Sequence, residues 1–584
     1  MNYKTPFSVR KGVIYDADGR KAKLWGVNYY APFNHNFYNI EELGKDHFKA
    51  IDEDIRHLKL LGADFIRMHL YDREITDRGG NIVENKNMRV LDYLIDQCEK
   101  NGIFLMITPT VWWNTVKNQI FQDRVYAYWY LESQDAFGFS NYFSVDAMIW
   151  DSDAIQCQKV YLNALFSRKN TVSGKRMNEY SNIVSIELFN EPQFPSLGLT
   201  RQEPDENTPD TGALACSRGP VRRKLIRKWE EFRAAHPEES DEEKAFSRFR
   251  IACIRNYFET LWPVVDEYFG KHVIKAQFPS YSGLIPEDLK ELFDTCSIDA
   301  LTLGTYLNAD GFDSTCTDSA NHLTLAKQWF ERYETLPRGR HARIAYEFDA
   351  SSTGNGYPLA AIAAEYARHD VQMAAYFTYT PYAAAAWNPG WLVHFLNIAH
   401  TPSRAAGFAA AGELFRNNEP GDPIEFGPES WQGKNYRIER RDDRVIYKDE
   451  HSFFYSNSNT EPLENIGQLE RVVGRGNSLF AECSGNGCYF LEKKSDRKWS
   501  LTLMPKQAFM MDPGRGKSYR RMANRYVNCR KEPPVSMLFE EEIDFRLIAK
   551  KIVSATTDDG KIIFADADGN VRLAPGEYTL EVEG

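Results

Sequence analysis

The sequence lacks several features that would assign it elsewhere. No apolar run approaches the roughly 18 residues that span a bilayer, so no membrane partner is expected. No excess of basic residues is present: 71 Lys and Arg stand against 82 Asp and Glu, a formal net charge of −11, which argues against a nucleic-acid partner. No CxxC or HExxH spacing occurs, so neither a metal nor any other cofactor has support in the sequence. The opening Met1-Asn2-Tyr3-Lys4-Thr5-Pro6 has no apolar signal region; the chain reads as cytoplasmic as it stands, and as secreted or periplasmic if a leader has been removed. Cysteine is sparse. Nine residues, an odd number, do not form a disulfide framework, and most read as buried thiols. Cys483 and Cys488 alone are close together. They flank the turn signal Gly485-Asn486-Gly487 and can face each other across a hairpin. There is no fixed-period repeat.

What is present is length and rings. A chain of 584 residues is too long for one core, so at least two domains are expected. Aromatic residues make up 14%, with 31 Tyr and 12 Trp, more amphipathic rings than a core needs. Such a surplus suits stacking against flat ligands such as sugars.

Along the chain, a β-hairpin around Asp16-Ala17-Asp18-Gly19 leads into a strand from Leu24 to Tyr29. Helix 46–61 carries Ile51, Ile55, Leu58 and Leu61 on one face and stops at Gly62. Apolar strands at 63–69 and 103–108 enclose a helix at 88–100. After a long loop and a helix at 153–168, a fourth buried strand, Ile183 to Leu188, delivers Asn190-Glu191-Pro192. Further helices are expected at 219–235, 241–262, 323–334, 358–369 and 402–416. Strands are expected at 272–276, 300–306, 342–348 and 372–379. Eight strands alternating with helices close a (β/α)8 barrel, a TIM barrel. After Asn417 the helical period disappears and short alternating strands follow, an all-β, sandwich-like pattern. The expected division is an N-terminal hairpin over 1–22 capping the barrel, the catalytic barrel over 23–418 and an accessory β-domain over 419–584. Residues 507–540, with Pro, Arg and Asn throughout, are assigned no structure.

The chemistry is sought at the C-terminal ends of the strands, where a barrel of this kind places its site. Glu191 ends the fourth strand and Glu347 ends the seventh. Two carboxyls facing one cleft can cleave a glycosidic bond, one as general acid and the other as nucleophile or base. Asp349, two residues on and on the same side of the strand, is the alternative to Glu347. Asn190 offers an amide for a sugar hydroxyl. Twelve aromatic residues between Pro109 and Trp150, starting with Trp112 and Trp113, suit a roof over the cleft or a satellite apolar cluster. Trp387 is either a platform or packing. His69 shares a face with Arg67 and is either a rim histidine or a substrate ligand. The charged run Asp72-Arg73-Glu74 either shapes the cleft or, as the preferred reading, makes a surface ion-pair network.

Asn190-Glu191-Pro192 after an apolar strand, with a Glu closing a later strand, resembles the retaining glycoside hydrolases of clan A, particularly family-5-like enzymes. The resemblance implies that Glu191 is the acid/base and Glu347 the nucleophile, supported by Arg67 from the second strand and Tyr306 from the sixth. It covers about residues 8–416. Three places depart from the family pattern. Gly304-Thr305-Tyr306 stands where His-x-Tyr is common. Trp112-Trp113 stands where a His-containing motif is common. The eighth strand ends in Tyr379, with Trp387 in the next loop, where a Trp is common. The function expected is a retaining β-glycoside hydrolase acting on galactosides, mannosides or glucosides. The alternative is a non-catalytic carbohydrate-binding protein on the same scaffold.

Overall fold

The computed structural model describes residues 3–111, 138–141, 143, 146–192, 194–201, 219–277, 286–307, 320–331, 339–351, 353–387, 390–391, 394–464, 466–510, 523–525, 529 and 533–583. Trp112 and Trp113 lie outside them. A hairpin of β1 (Ser8–Arg10) and β2 (Val13–Tyr15) precedes eight parallel strands: β3 (Leu24–Asn28), β4 (Phe65–His69), β5 (Phe104–Thr108), β6 (Ile183–Glu187), β7 (Ile274–Gln277), β8 (Ala300–Tyr306), β9 (Ala342–Asp349) and β10 (Val371–Tyr376). They pair in chain order, and β10 closes on β3, a (β/α)8 barrel.

Alternation along the strands divides two cores. Leu24, Phe65, Met106, Ala300, Ile344 and Met373 point into the barrel, where Phe7 and Ile14 of the hairpin region join them. Trp25, Ile66, Ile107, Leu301 and Ala374 point outward against the helices. Helix Glu242–Phe269 begins at Asp241, whose carboxylate accepts from the N–H groups of Glu243 and Lys244, and it runs through Pro263 to Gly270. A helix at Pro286–Thr295, between β7 and β8, was not expected from the sequence.

Beyond the barrel, an 11-stranded sheet and a three-stranded sheet follow. Period-two patterning gives the larger sheet two apolar faces. Val445, Tyr447, Phe454, Val473 and Phe490 join the barrel core. Ile446, Phe453, Tyr455, Val472 and Leu491 face a second core closed by Phe545 and Val571. The barrel-side face packs on helix Pro402–Asn417. Trp431 and Trp499 are both buried. Cys483 and Cys488 are free buried thiols.

The stretch 507–540, expected to be without structure, contains a ribbon of Lys506–Phe509 with Ser536–Phe539. It reaches back to the barrel. Strand Ala523–Arg525 pairs with Gly390–Trp391 after β10. Val535 N donates to Ala386 O at 2.7 Å, and Asn39 Nδ2 donates to Cys529 Sγ at 2.8 Å. These pairings are long-range and leave no local period to detect. The Asp72-Arg73-Glu74 run is a second correction. It forms a one-turn helix, Asp72–Ile75, and all three side chains are buried. Glu74 accepts from Asn34 N and Asn87 Nδ2, and Asp72 accepts from Ser140 N, so protein donors rather than solvent engage both carboxyls.

Candidate active site

Arg67 organises the barrel mouth. It lies on β4 with Phe65 and His69 on the same inward face, and it is completely buried. Its Nη1 donates to Asn28 Oδ1 at 3.0 Å and to Glu347 Oε1 at 2.9 Å. Its Nη2 donates to Glu187 Oε2 at 2.5 Å and to Asn190 Oδ1 at 2.8 Å. Burial disfavours the guanidinium charge, but Glu187 and Glu347 more than offset this and raise its pKa. Glu187 is itself held by Thr302 Oγ1 at 2.7 Å and Thr108 Oγ1 at 3.1 Å. One guanidinium thus ties together the ends of β3, β4, β6 and β9.

Glu347 accepts a second hydrogen bond from the Tyr306 hydroxyl at 2.5 Å. Burial and the charge of Glu191 push the Glu347 carboxyl up, while Arg67 and Tyr306 pull it down. Glu191, half-buried, accepts from the Tyr346 hydroxyl at 2.5 Å. Its backbone is left-handed, φ 45°, costing about 1–3 kcal/mol for a residue of this kind. The preceding Asn190 is anchored by its N–H to Thr110 O at 3.0 Å.

Glu347 faces inward because β9 carries a bulge. Leu303 pairs with Ala345, but the next residue, Gly304, pairs with Glu347. On the other side Ala374 pairs with Ala345, and Tyr376 pairs with Phe348. β9 therefore has one residue more than either neighbour at this point. A bulge re-aims side chains, and here Tyr346 and Glu347, adjacent in sequence, both turn into the barrel.

Six of the residues expected from the sequence meet here: Arg67, His69, Asn190, Glu191, Tyr306 and Glu347. His69 Nε2 stands 3.6 Å from Glu347 Oε1, too far for a hydrogen bond. Burial and then Arg67 depress its pKa well below the usual value, so it is neutral. The Asn190 amide lies between Arg67, which donates to its Oδ1, and the His69 ring. Trp387, in the loop after β10, ends the segment Tyr382–Trp387, which packs on helices Asn34–Glu42 and His47–Leu60. Asp349 is engaged otherwise. His394 Nδ1 lies 2.9 Å from its Oδ2, and Arg404 donates to its Oδ1.

Sequence reasoning missed five residues. Glu187 was absorbed into an apolar run, although a carboxylate inside a buried strand requires a partner and so was a signal. Asn28 pins the site from β3, accepting from Arg67 and donating through Nδ2 to Tyr346 O at 3.0 Å. Phe377 and His394 flank Tyr306, with His394 5.3 Å and Phe377 6.4 Å from it between ring centroids. Tyr346 is the fifth.

Among the described residues no group of three or more His, Cys, Asp or Glu is arranged to hold a metal ion, and no helix is long and apolar enough to cross a membrane.

No protein-family model and no curated protein matches the sequence. Solved structures do match in shape. The endo-1,4-beta-mannanase from Rhizomucor miehei aligns at 15% identity and TM-score 0.40, over 64% of this chain and 90% of that one. The endo-beta-1,4-mannanase from Thermotoga petrophila aligns at 12% identity and TM-score 0.43, over 83% and 95%. A GH5_18 structure from Streptomyces cattleya in complex with GlcNAc aligns at 12% identity and TM-score 0.40, over 71% and 82%.

Proposed function

We propose that the protein is a retaining β-glycoside hydrolase acting on β-linked mannosides, glucosides or galactosides. The observation that carries this reading is the pair of carboxyls at the C-terminal mouth of the barrel, held in different environments. Glu347 lies against a buried guanidinium and a phenol; Glu191 lies half-buried on a strained turn against another phenol. Two carboxyls in one cleft repel, so the resting pair holds one proton. The first step needs Glu347 charged, a state the guanidinium and phenol contacts favour against burial and the neighbouring Glu191, and Glu191 protonated.

In the first step a Glu347 oxygen attacks the anomeric carbon. The glycosidic C–O bond breaks, and Glu191 gives its proton to the departing oxygen. In the second step Glu191 takes a proton from water as the water oxygen attacks the same carbon, and the bond to Glu347 breaks. Arg67 and Tyr306 receive the charge returned to Glu347. Asn190 offers its amide to a sugar hydroxyl beside the reacting carbon.

A panel of β-mannan, β-glucan and β-galactan oligosaccharides, assayed for reducing sugar, tests this. The wild type is expected to release sugar with the β-anomer formed first by NMR. Glu347→Ala is expected to lose on the order of 10⁴-fold or more. Binding without release supports the carbohydrate-binding alternative. Undiminished hydrolysis by Glu347→Ala rules out the assignment of the nucleophile.

A further inference from the structure

The proposed chemistry uses Glu191 twice, as an acid and then as a base, yet it assigns nothing to the phenol that touches it. We infer that Tyr346 is a positioning residue for Glu191: its hydroxyl, seated in space left by the missing side chain at Gly304, fixes the carboxyl at the mouth and donates to it when ionised. This rests on the hydrolase reading above.

Three independent features build the arrangement. The β9 bulge turns Tyr346 inward beside Glu347, where strict alternation would bring in only one of the two. Gly304, on the adjacent inward position of β8, admits the ring. A Cβ added there would lie 2.9 Å from the phenol oxygen and 3.3 Å from Cε1 and Cζ. The ring is then clamped. Arg67 Cζ lies 4.8 Å from its centroid, and Asn28 Nδ2 holds its carbonyl at 3.0 Å. The hydroxyl reaches Glu191 Oε1 at 2.5 Å. One side chain thus spans from the guanidinium that supports Glu347 to the carboxyl of Glu191.

Burial, with the charges of Glu191 and Glu347, holds the Tyr346 phenol well above its usual pKa. It is a neutral donor throughout the working range. A donor to a carboxylate favours the ionised form, and the ionised form of Glu191 is the base of the second step. The charged and titratable groups around this pair are Arg67 and His69 on β4, Glu187 on β6, Tyr306 on β8, Glu347 on β9 and Tyr30 after β3. All of them remain in the variants below.

The test is the pH profile of Tyr346→Phe, which keeps the ring and loses the donor. Without the donor, protonated Glu191 persists to higher pH. With an oligosaccharide substrate, the alkaline limb of kcat/KM is expected to move up by about one pH unit, and kcat/KM to fall about ten- to hundredfold. With a 4-nitrophenyl glycoside, whose leaving group needs no proton, kcat/KM is expected to hold while kcat falls, because the second step still needs the base. A merely structural role would lower all these quantities together and leave the limb in place. Gly304→Ala, which crowds the phenol without removing it, is expected to shift the limb in the same direction. An unmoved limb in both variants, with a wild type that hydrolyses and a Glu347→Ala that does not, overturns this inference alone. A wild type that releases no sugar from any substrate overturns it together with the hydrolase reading.

Discussion

The barrel mouth and the core of the C-terminal β region are built on opposite rules. At the mouth, four charged side chains crowd a small volume. Arg67 and Glu187 are completely buried, Glu347 nearly so, and Glu191 half-buried. In the β region, Phe453, Tyr455, Trp499, Leu501, Phe545 and Leu580 pack with each other, and charged residues keep to the outward positions of the same strands. Buried charge is costly unless fully paired, whereas buried apolar surface stabilises by about 25 cal/mol per Å². A protein keeps the first kind of site where it is used and the second kind where it holds the chain together. Activity and stability should therefore come apart when the two regions are altered separately.

The largest separation is expected from Glu191→Gln, an isosteric change that removes the proton donor. Hydrolysis of oligosaccharides should fall about 10²- to 10⁴-fold, and 4-nitrophenyl glycosides should be far less affected in kcat/KM. Removing one of two repelling carboxyls should leave the melting temperature unchanged or raise it, as calorimetry would show. A large drop in stability would break the comparison, because it would make Glu191 a structural strand-end residue.

The converse is Trp499→Ala. Trp499 is fully buried, with Phe480 5.8 Å away between ring centroids. Its truncation should cost about 3–5 kcal/mol of stability, read from denaturant unfolding. The folded fraction should retain wild-type kcat. A change in kcat matching the loss of stability would show that the β region acts on the site directly. That outcome would direct attention to strand Ala523–Arg525 and Val535, which reach the loop after β10.

Much of the mouth could be read from the sequence because its residues end strands, and strand ends are marked by a change of pattern. Glu191 and Glu347 are legible that way, whereas Arg67 and Tyr306 follow from the family resemblance. What stayed hidden depends on geometry that no local period carries. Counting alternate residues from Ile344 puts Tyr346 inside and Glu347 outside; only the bulge admits both. Gly304 showed as a departure from the family pattern, but that Tyr346 fills its space requires β8 and β9 to be placed side by side. Asp72 and Glu74 looked solvated because their partners, Ser140, Asn34 and Asn87, lie on other elements that only the fold brings beside them. The β strands near 443–457 and 488–504 were legible from alternation, whereas 507–540 was not, because its strands pair across the length of the stretch or with the loop after β10.

The smallest expected effect tests how firmly the two regions are joined. Asp443, in the turn before strand Arg444–Lys448, accepts at Oδ1 from Gly356 N at 2.7 Å and Tyr357 N at 3.0 Å. It also accepts from Ser403 Oγ at the start of helix Pro402–Asn417. A carboxylate of the β region thus caps helix Tyr357–Arg368 of the barrel, whose own N-cap residue, Gly356, has no side chain to do so. Asp443→Ala should cost about 1 kcal/mol, and slightly more because its φ of 45° suits Asp or Asn better than Ala. Asp443→Asn keeps both the acceptor and the tolerance of that backbone, so it should recover most of the loss. If mouth and β core melt as one unit, Asp443→Ala lowers a single transition. If they melt separately, it lowers the barrel transition alone, and Trp499→Ala, carried in the same chain, moves only the other.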